Sequence, residues 1–297
     1  MCGIIGLLIK KPEWRDRLGE LMVPMLIGMT ERGPDSAGMA VFGEPMAASR
    51  RKLNLYAESP AFDWKQLEGA ASAKFADVQV TIKANHAVLA SDSAPDAMKA
   101  WLHSTYPEVH VLSTGRAIDL YKDVGTPQAV ADRYDFKHLK GSHVVGHTRM
   151  ATESAVTPAN AHPYTAGEDW CIVHNGSLSN PHSLRRRLEK VGIAFDGDCD
   201  TEAASRYLEW RLREGDNLES AIERSFSEFD GFYTFLMGTA DKLALVRDPF
   251  ACKPAIVAEC DEYVAISSEF RSLAHLPGVK HARVFEPGPE EIYSWAV

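Results

Sequence analysis

The first apolar run of the chain, Gly3 to Ile9, is unbroken and of strand length, so the chain is expected to start inside the fold. Leu18, Leu21, Met22, Met25, Leu26 and Met29 then recur at helical spacing. They predict a helix with one core face in spite of Pro24, and they make the methionine stripe core packing rather than a cofactor site. After the turn-rich Arg32-Gly33-Pro34-Asp35-Ser36, Gly38 to Phe42 reads as a second buried strand.

From about Glu44 to Lys140 the pattern changes to that of a self-contained α/β insertion. Val78, Val80 and Ile82 alternate, Pro95 to Ser104 is helix-like, Val109 to Leu112 is β-rich and Pro127 to Tyr134 is helix-like again. Strand-like runs at His143 to His147 and Trp170 to His174 precede helical patterns near Asn180 to Lys190 and Thr201 to Arg213. The last third returns to short strands at Phe232 to Met237, Leu243 to Arg247, Ala255 to Ala258, Tyr263 to Ser267 and Glu291 to Trp295. Strands, helices and strands again predict α+β layering rather than a doubly wound parallel sheet. The sequence has no internal repeat, no low-complexity tract and no GxGxxG after a strand.

Composition narrows the function classes. At 297 residues, 45% hydrophobic and 25% charged, the chain has the make-up of a globular protein with a sizeable core. The net charge of −9 and the absence of a long basic run argue against a nucleic-acid surface; the triplet Arg185, Arg186, Arg187 reads as a solvated helix face. No apolar stretch is long enough to span a membrane and no signal-peptide pattern is present, which makes the cytoplasm the expected location. The five cysteines include no CxxC pair, so neither a disulfide framework nor a zinc site is expected, and Cys171 and Cys252 read as small core hydrophobes.

Cys2 is different because of its place. Removal of Met1 would give one residue both a thiol nucleophile and a free α-amino group. With an ordinary pKa of roughly 8, that amine suits the task of taking the thiol proton and returning it to a leaving group. Position alone does not decide this, since a cysteine can simply follow the start codon.

Other segments tip the balance. Met1-Cys2-Gly3-Ile4-Ile5-Gly6 resembles the opening of class II glutamine amidotransferases, whose N-terminal cysteine attacks glutamine. Arg32-Gly33-Pro34-Asp35-Ser36-Ala37-Gly38 resembles that family's RGxDSxG turn, and Gly146 to Thr152 (GHTRMAT) its GHTRxAT segment. Asn160-Ala161-His162-Pro163, Val173-His174-Asn175-Gly176 and Asp198-Cys199-Asp200-Thr201-Glu202 are similar to its NxHP, HNG and D-T-E elements. Arg247-Asp248-Pro249, Lys253-Pro254 and Ser267-Ser268-Glu269 match its closing segments, in order. The stretch between Gly38 and His147 exceeds what the minimal fold needs, and Met150 stands where some members carry an aromatic residue.

The resemblance implies a four-layer αββα Ntn-hydrolase sandwich over residues 1–297, with a small α/β subdomain inserted at about 44–140. It implies Cys2 as nucleophile, with the Asn175 side-chain amide and the Gly176 N–H as oxyanion donors; taken alone, Asn-Gly is an ordinary turn dipeptide. Arg149 would grip the substrate α-carboxylate with a planar, two-pronged guanidinium. Asp200 would bind the α-ammonium, act as a first-turn acid of its helix, or both. Thr152 would add a hydroxyl or backbone contact to the carboxylate. His147, His162 and His174 are spaced too irregularly for a metal site and read as structural histidines beside the pocket.

The implied reaction hydrolyses L-glutamine to glutamate and ammonia. The ammonia would pass to a separate synthase subunit of glutamate-synthase or N-methylglutamate-synthase type. No cofactor is implied in this chain, and a flavin would belong to the partner. Two other readings stand beside this one: a non-catalytic amino-acid-binding regulatory module of the same fold, and an Ntn hydrolase of another amide. The 44–140 insertion is either a docking surface for the synthase or a surface decoration.

Overall fold

The computed structural model describes residues 2–150 and 161–297. Along the chain the strands are β1 (Gly3–Ile9), β2 (Ser36–Phe42), β3 (Arg51–Ala57), β4 (Gln79–Lys83), β5 (His86–Ser91), β6 (Val109–Gly115), β7 (Ile118–Val124) and β8 (His143–Arg149). They continue as β9 (Tyr164–Thr165), β10 (Trp170–Leu178), β11 (Gly231–Thr239), β12 (Lys242–Arg247), β13 (Ile256–Glu259), β14 (Tyr263–Ser267), β15 (Arg283–Phe285) and β16 (Ile292–Ala296). The helices are α1 (Leu18–Ile27), α2 (Trp64–Ser72), α3 (Pro95–Thr105), α4 (Pro127–Arg133), α5 (Pro181–Glu189), α6 (Asp200–Arg213) and α7 (Leu218–Ser225).

Two sheets carry the fold, one ordered β15-β13-β14-β1-β8-β2-β7 and the other β16-β12-β11-β10-β9. Both faces of each must be covered, which is why β1 is apolar at every position rather than at every second one. Ile4 and Leu8 of β1 and Val145 of β8 face Val173, Leu236 and Leu245 across the space between the sheets. The alternate residues Ile5, Leu7 and Ile9 turn outward beneath Met22 and Met25 of α1 and Val130 of α4. On the second sheet Ile172, Phe235 and Val246 pack under Leu184, Leu208 and Ile222 of α5, α6 and α7. Helix, sheet, sheet and helix are therefore stacked as the αββα, α+β sandwich expected from the sequence. Every strand pairing among the described residues is antiparallel.

A third sheet, ordered β4-β5-β3-β6, has its own core of Leu53, Leu55, Leu67, Leu89, Met98 and Trp101 beneath α2 and α3. The limits of about 44–140 read from the sequence take in this unit and also β7 and α4. Those two belong to the main body: β7 pairs with β2 over its whole length, Ser36 opposite Val124 and Phe42 opposite Ile118. The charged residues of β7 hide it from a periodicity reading. Its Lys122 is buried, donating to the carbonyls of Ala161 and Pro163 at 2.9 and 3.3 Å, and burial lowers that ammonium to about 8.

Two expectations are corrected. Cys252 is exposed, because it lies in the loop between β12 and β13, whereas Cys171 on β10 is buried. Arg185 is buried rather than solvated: it donates to the carbonyls of Gly197 and Cys199 at 2.5 and 2.6 Å, so its charge fastens the loop before α6. Among the described residues no helix is long and apolar enough to cross a membrane.

Gly33 shows how closely the Arg32–Ser36 turn lies on the sheet. A Cβ at this position would stand 2.5 Å from the backbone nitrogen of Arg149 and against the Thr148 carbonyl group, neither of which is a flexible chain end. Gly33→Ala is expected to destabilise the protein by about 1–3 kcal/mol, the usual range for overpacking. Urea unfolding measures this, and an unchanged midpoint would mean that the turn sits looser than described.

Candidate active site

The two-residue period of the strands gathers the site. On β1 the even positions Ile4 and Leu8 face the inter-sheet space, so Cys2 shares their side; on β8 Val145 does, so His147 and Arg149 follow it. On β10 Val173 faces the same space, and Asn175 follows two residues on. Gly3 pairs with Thr148 and Ser36 with Arg149, so Cys2 and Arg149 come to the same end of the sheet. Strands distant in sequence thus deliver Cys2, His147, Arg149 and Asn175 to one mouth of the sandwich.

Cys2 is half-buried, and its backbone is tied down from two directions. Its carbonyl accepts from Arg32 Nε at 3.0 Å and from Asn175 Nδ2 at 3.1 Å. Arg32 is fixed in turn by Glu269 Oε1 at 3.0 Å. Ser268 accepts from the backbone N–H of Ile4 at 2.9 Å and from Asn175 Nδ2 at 3.2 Å. The closing Ser-Ser-Glu segment is therefore a clamp on the start of β1, a role that sequence reasoning did not assign. Burial raises the Cys2 thiol, but a hydrogen bond to His147, the His147 charge and a backbone hydrogen bond from Met150 outweigh it and bring the thiol down to about 7.

Asn175 Oδ1 lies 3.2 Å from His147 Nε2, so its amide bridges the histidine and Cys2. Gly176, next along, has φ of +146°, where a Cβ would meet the Phe232 carbonyl and stand 2.8 Å from His174 Nε2. Asn-Gly here is no hairpin turn: both residues lie inside β10, paired with Thr234 and Tyr233 of β11.

His174 falls on the opposite face of β10 and points to the start of α6. Thr201 Oγ1 lies 3.0 Å from both His174 Nδ1 and His162 Nε2, and 3.2 Å from Asp200 Oδ1. If the single hydroxyl hydrogen goes to the carboxylate, both ring nitrogens are donors, which fixes the tautomers of the two histidines. Asp200 Oδ2 also accepts from the Leu178 N–H at 2.9 Å. Burial would raise this carboxyl, but the hydrogen bond and charge of His174, with the N–H groups of Leu178 and Thr201, hold it well below the usual carboxylate range. It is an ionised group with 24% of its side chain open, able to receive a cation.

The three histidines, scattered in sequence, are joined in space. The rings of His147 and His162 are 4.2 Å apart, and Thr201 links His162 to His174. Burial, reinforced by His147, His174, Lys122 and Arg149, pushes His162 well down and keeps it neutral. Among the described residues no group of three or more His, Cys, Asp or Glu side chains has the geometry to hold a metal ion. Arg149 is buried at the end of β8, where its carbonyl accepts from the Asp35 N–H at 3.1 Å. Thr152 and Asn160 lie outside the described residues.

Sequence reasoning also missed Glu202 and Thr201. Glu202 accepts from the backbone N–H groups of Asp196 and Gly197 at 2.8 and 3.0 Å and so ties down the loop that leads to Asp200. The signal was present in Asp-Thr-Glu, but an acid in a helical first turn is too common to single out.

Comparison with known proteins bears on this arrangement. Residues 147–275 match the glutamine amidotransferase domain family. The chain is 44% identical over 296 residues to the glutamine amidotransferase-like protein GlxB of Rhizobium meliloti, covering 99% of this chain and 98% of that protein. It is 32% identical over 305 residues to a putative glutamine amidotransferase of Methanothermobacter thermautotrophicus, covering 99% of both. In fold it is similar to the glutamine phosphoribosylpyrophosphate amidotransferase of B. subtilis, with a TM-score of 0.63 and 18% identity over 99% of this chain and 47% of that one.

Proposed function

The chain belongs to the class II, Ntn-type glutamine amidotransferase family, and on that premise we propose that it is a glutaminase subunit whose nucleophile is Cys2, freed as the N-terminal residue by loss of Met1. The observation that carries the reading is the convergence on Cys2. A thiol brought down to about 7 sits at the end of a sheet whose neighbouring strands also present Arg149 and Asn175.

The thiolate adds to the side-chain amide carbon of glutamine, and the amide oxygen takes up the negative charge. Asn175 Nδ2 and the Gly176 N–H are the donors assigned to that oxygen. The α-amino group of Cys2 holds the thiol proton and returns it to the departing nitrogen, so ammonia leaves and a glutamyl thioester remains. Water, deprotonated by the same amine, then hydrolyses the thioester to glutamate. Arg149 holds the substrate α-carboxylate and Asp200 its α-ammonium, with Thr152 as a further carboxylate contact. A buried cation and a half-buried anion together favour a free α-amino acid over an acylated amide, and a nucleophile with its donors favours catalysis over a sensing role.

Ammonia released to solvent is protonated and lost, so the product has to pass to an acceptor site on a separate synthase subunit. The glutamate-synthase-like and N-methylglutamate-synthase-like enzymes are the acceptor class proposed, with any flavin on the partner. A glutaminase assay on protein shown by intact mass to lack Met1, alone and with the candidate synthase, tests the reading. Glutamine turnover that rises on adding the partner is expected; full activity with Met1 retained would sink the mechanism. Arg149→Lys is expected to raise KM for glutamine by the equivalent of about 1.5–3 kcal/mol, since a lysine cannot supply two parallel hydrogen bonds. An unchanged KM would place the carboxylate elsewhere.

A further inference from the structure

We propose that His147 is a positioning residue: it stands between the Cys2 thiol and the Asn175 amide and holds both in the geometry the reaction needs. The inference rests on the glutaminase reading above and adds to it a residue with no assigned part in the chemistry.

The two ends of an asparagine amide are nearly equal in shape and opposite in hydrogen-bonding sense. An amide turned the wrong way would present oxygen to a developing oxyanion and repel it. Two unambiguous acceptors settle the orientation here. The His174 carbonyl lies 3.2 Å from His147 Nε2, so that ring nitrogen must carry hydrogen. The Asn175 end 3.2 Å from the same nitrogen must then be oxygen. At the other end the Cys2 carbonyl, 3.1 Å away, requires nitrogen. That nitrogen, which also donates to Ser268 at 3.2 Å, is the donor assigned above to the substrate oxygen, so its present contacts cannot be what holds the amide once substrate is bound. His147 is the anchor at the far, oxygen end of the amide.

The ring is itself well fixed. His147 is 1% exposed, on a strand paired with β1 and β2 on both sides, opposite Ile4 and Gly38. His162 packs against its face. With Nε2 committed to the two oxygens, Nδ1 is left for the thiol. The low thiol value described above agrees with this contact, since His147 is the main influence opposing burial.

The test compares His147→Leu and His147→Gln, each alone and combined with Asn175→Ala, by glutamine kinetics and by pH-dependent alkylation of Cys2 with iodoacetamide, read by mass on the N-terminal peptide. Gln places a donor nitrogen roughly where Nε2 stands, and Leu does not. His147→Leu is expected to lower kcat roughly a hundredfold, as loss of an oxyanion donor does, with KM little changed. His147→Gln is expected to recover most of that loss. In the Asn175→Ala background His147→Leu costs little more, because two residues acting through one interaction are not additive. Cys2 alkylation inflects near pH 7 in the parent protein and at higher pH in His147→Leu, where the main influence opposing burial is gone. Equal losses in Leu and Gln, additive losses in the double variant, or an effect confined to KM would overturn the proposal, as would an alkylation profile that His147→Leu leaves in place. Should the parent protein hydrolyse no glutamine, the glutaminase reading fails, while the alkylation arm still decides whether His147 governs the thiol.

Discussion

Cys2→Ala is expected to reduce glutamine hydrolysis by roughly four orders of magnitude or more, the scale seen when a nucleophile that acts as one unit with its base is removed. Nothing nearby can replace it among the described cysteines: Cys171 is buried on β10, where desolvation raises its thiol, and Cys199 precedes α6. The fold should survive, because Cys2 is half-buried at the end of β1 rather than in its core, and its contacts with Arg32 and Asn175 are made through its backbone carbonyl, which alanine keeps. Circular dichroism and a urea midpoint equal to those of the parent protein, together with loss of turnover, are the expected pair of results. Residual activity within about tenfold of the parent would remove Cys2 from the mechanism.

Asn175→Ala is expected to lower kcat by about two to three orders of magnitude with a smaller change in KM, because an oxyanion donor acts on charge that exists only in the transition state. The prediction is sharper than the bare motif allows. Asn175 is a buried strand residue, and its amide spans His147, Cys2 and Ser268. Truncation also leaves the Cys2 carbonyl with one donor fewer, so some loosening of the N-terminus accompanies the kinetic effect. An unchanged kcat in steady-state assays would show that the oxyanion is stabilised elsewhere.

How much of this was legible beforehand differs from element to element. Gly3 to Ile9 was readable as a buried strand because a strand covered on both faces is apolar throughout, a property of local composition. The helix from Leu18 was readable because its stripe repeats every three or four residues and Pro24 near its middle does not outweigh the burial of Met22 and Met25. Ile118 to Val124 was not readable. Its lysine and aspartates look like surface positions, yet Lys122 and Asp123 are buried, which is possible only because distant partners satisfy them, as Ala161 and Pro163 do for Lys122. Arg185 was misjudged for the same reason: its acceptors are backbone carbonyls in the loop before α6.

By itself the sequence determined the α+β order of elements and the ordered set of motifs, since these depend on pattern and spacing along the chain; the αββα layering and the residues assigned to the chemistry came from the family resemblance that those motifs carry. Only the tertiary structure decided which of those residues meet. Alternation along β1, β8 and β10 says that Cys2, His147 and Asn175 each face one side of a strand, but not that the sides are the same. That follows from the pairing of β1 with β8 and from the packing of the first sheet on the second. The three histidines show the difference most plainly: irregular in spacing, they are neighbours because β8, β10 and the segment before β9 converge on Thr201 and Asn175. Local pattern fixes the face a side chain presents, whereas contact between faces depends on the packing of distant segments, which no short stretch of sequence encodes.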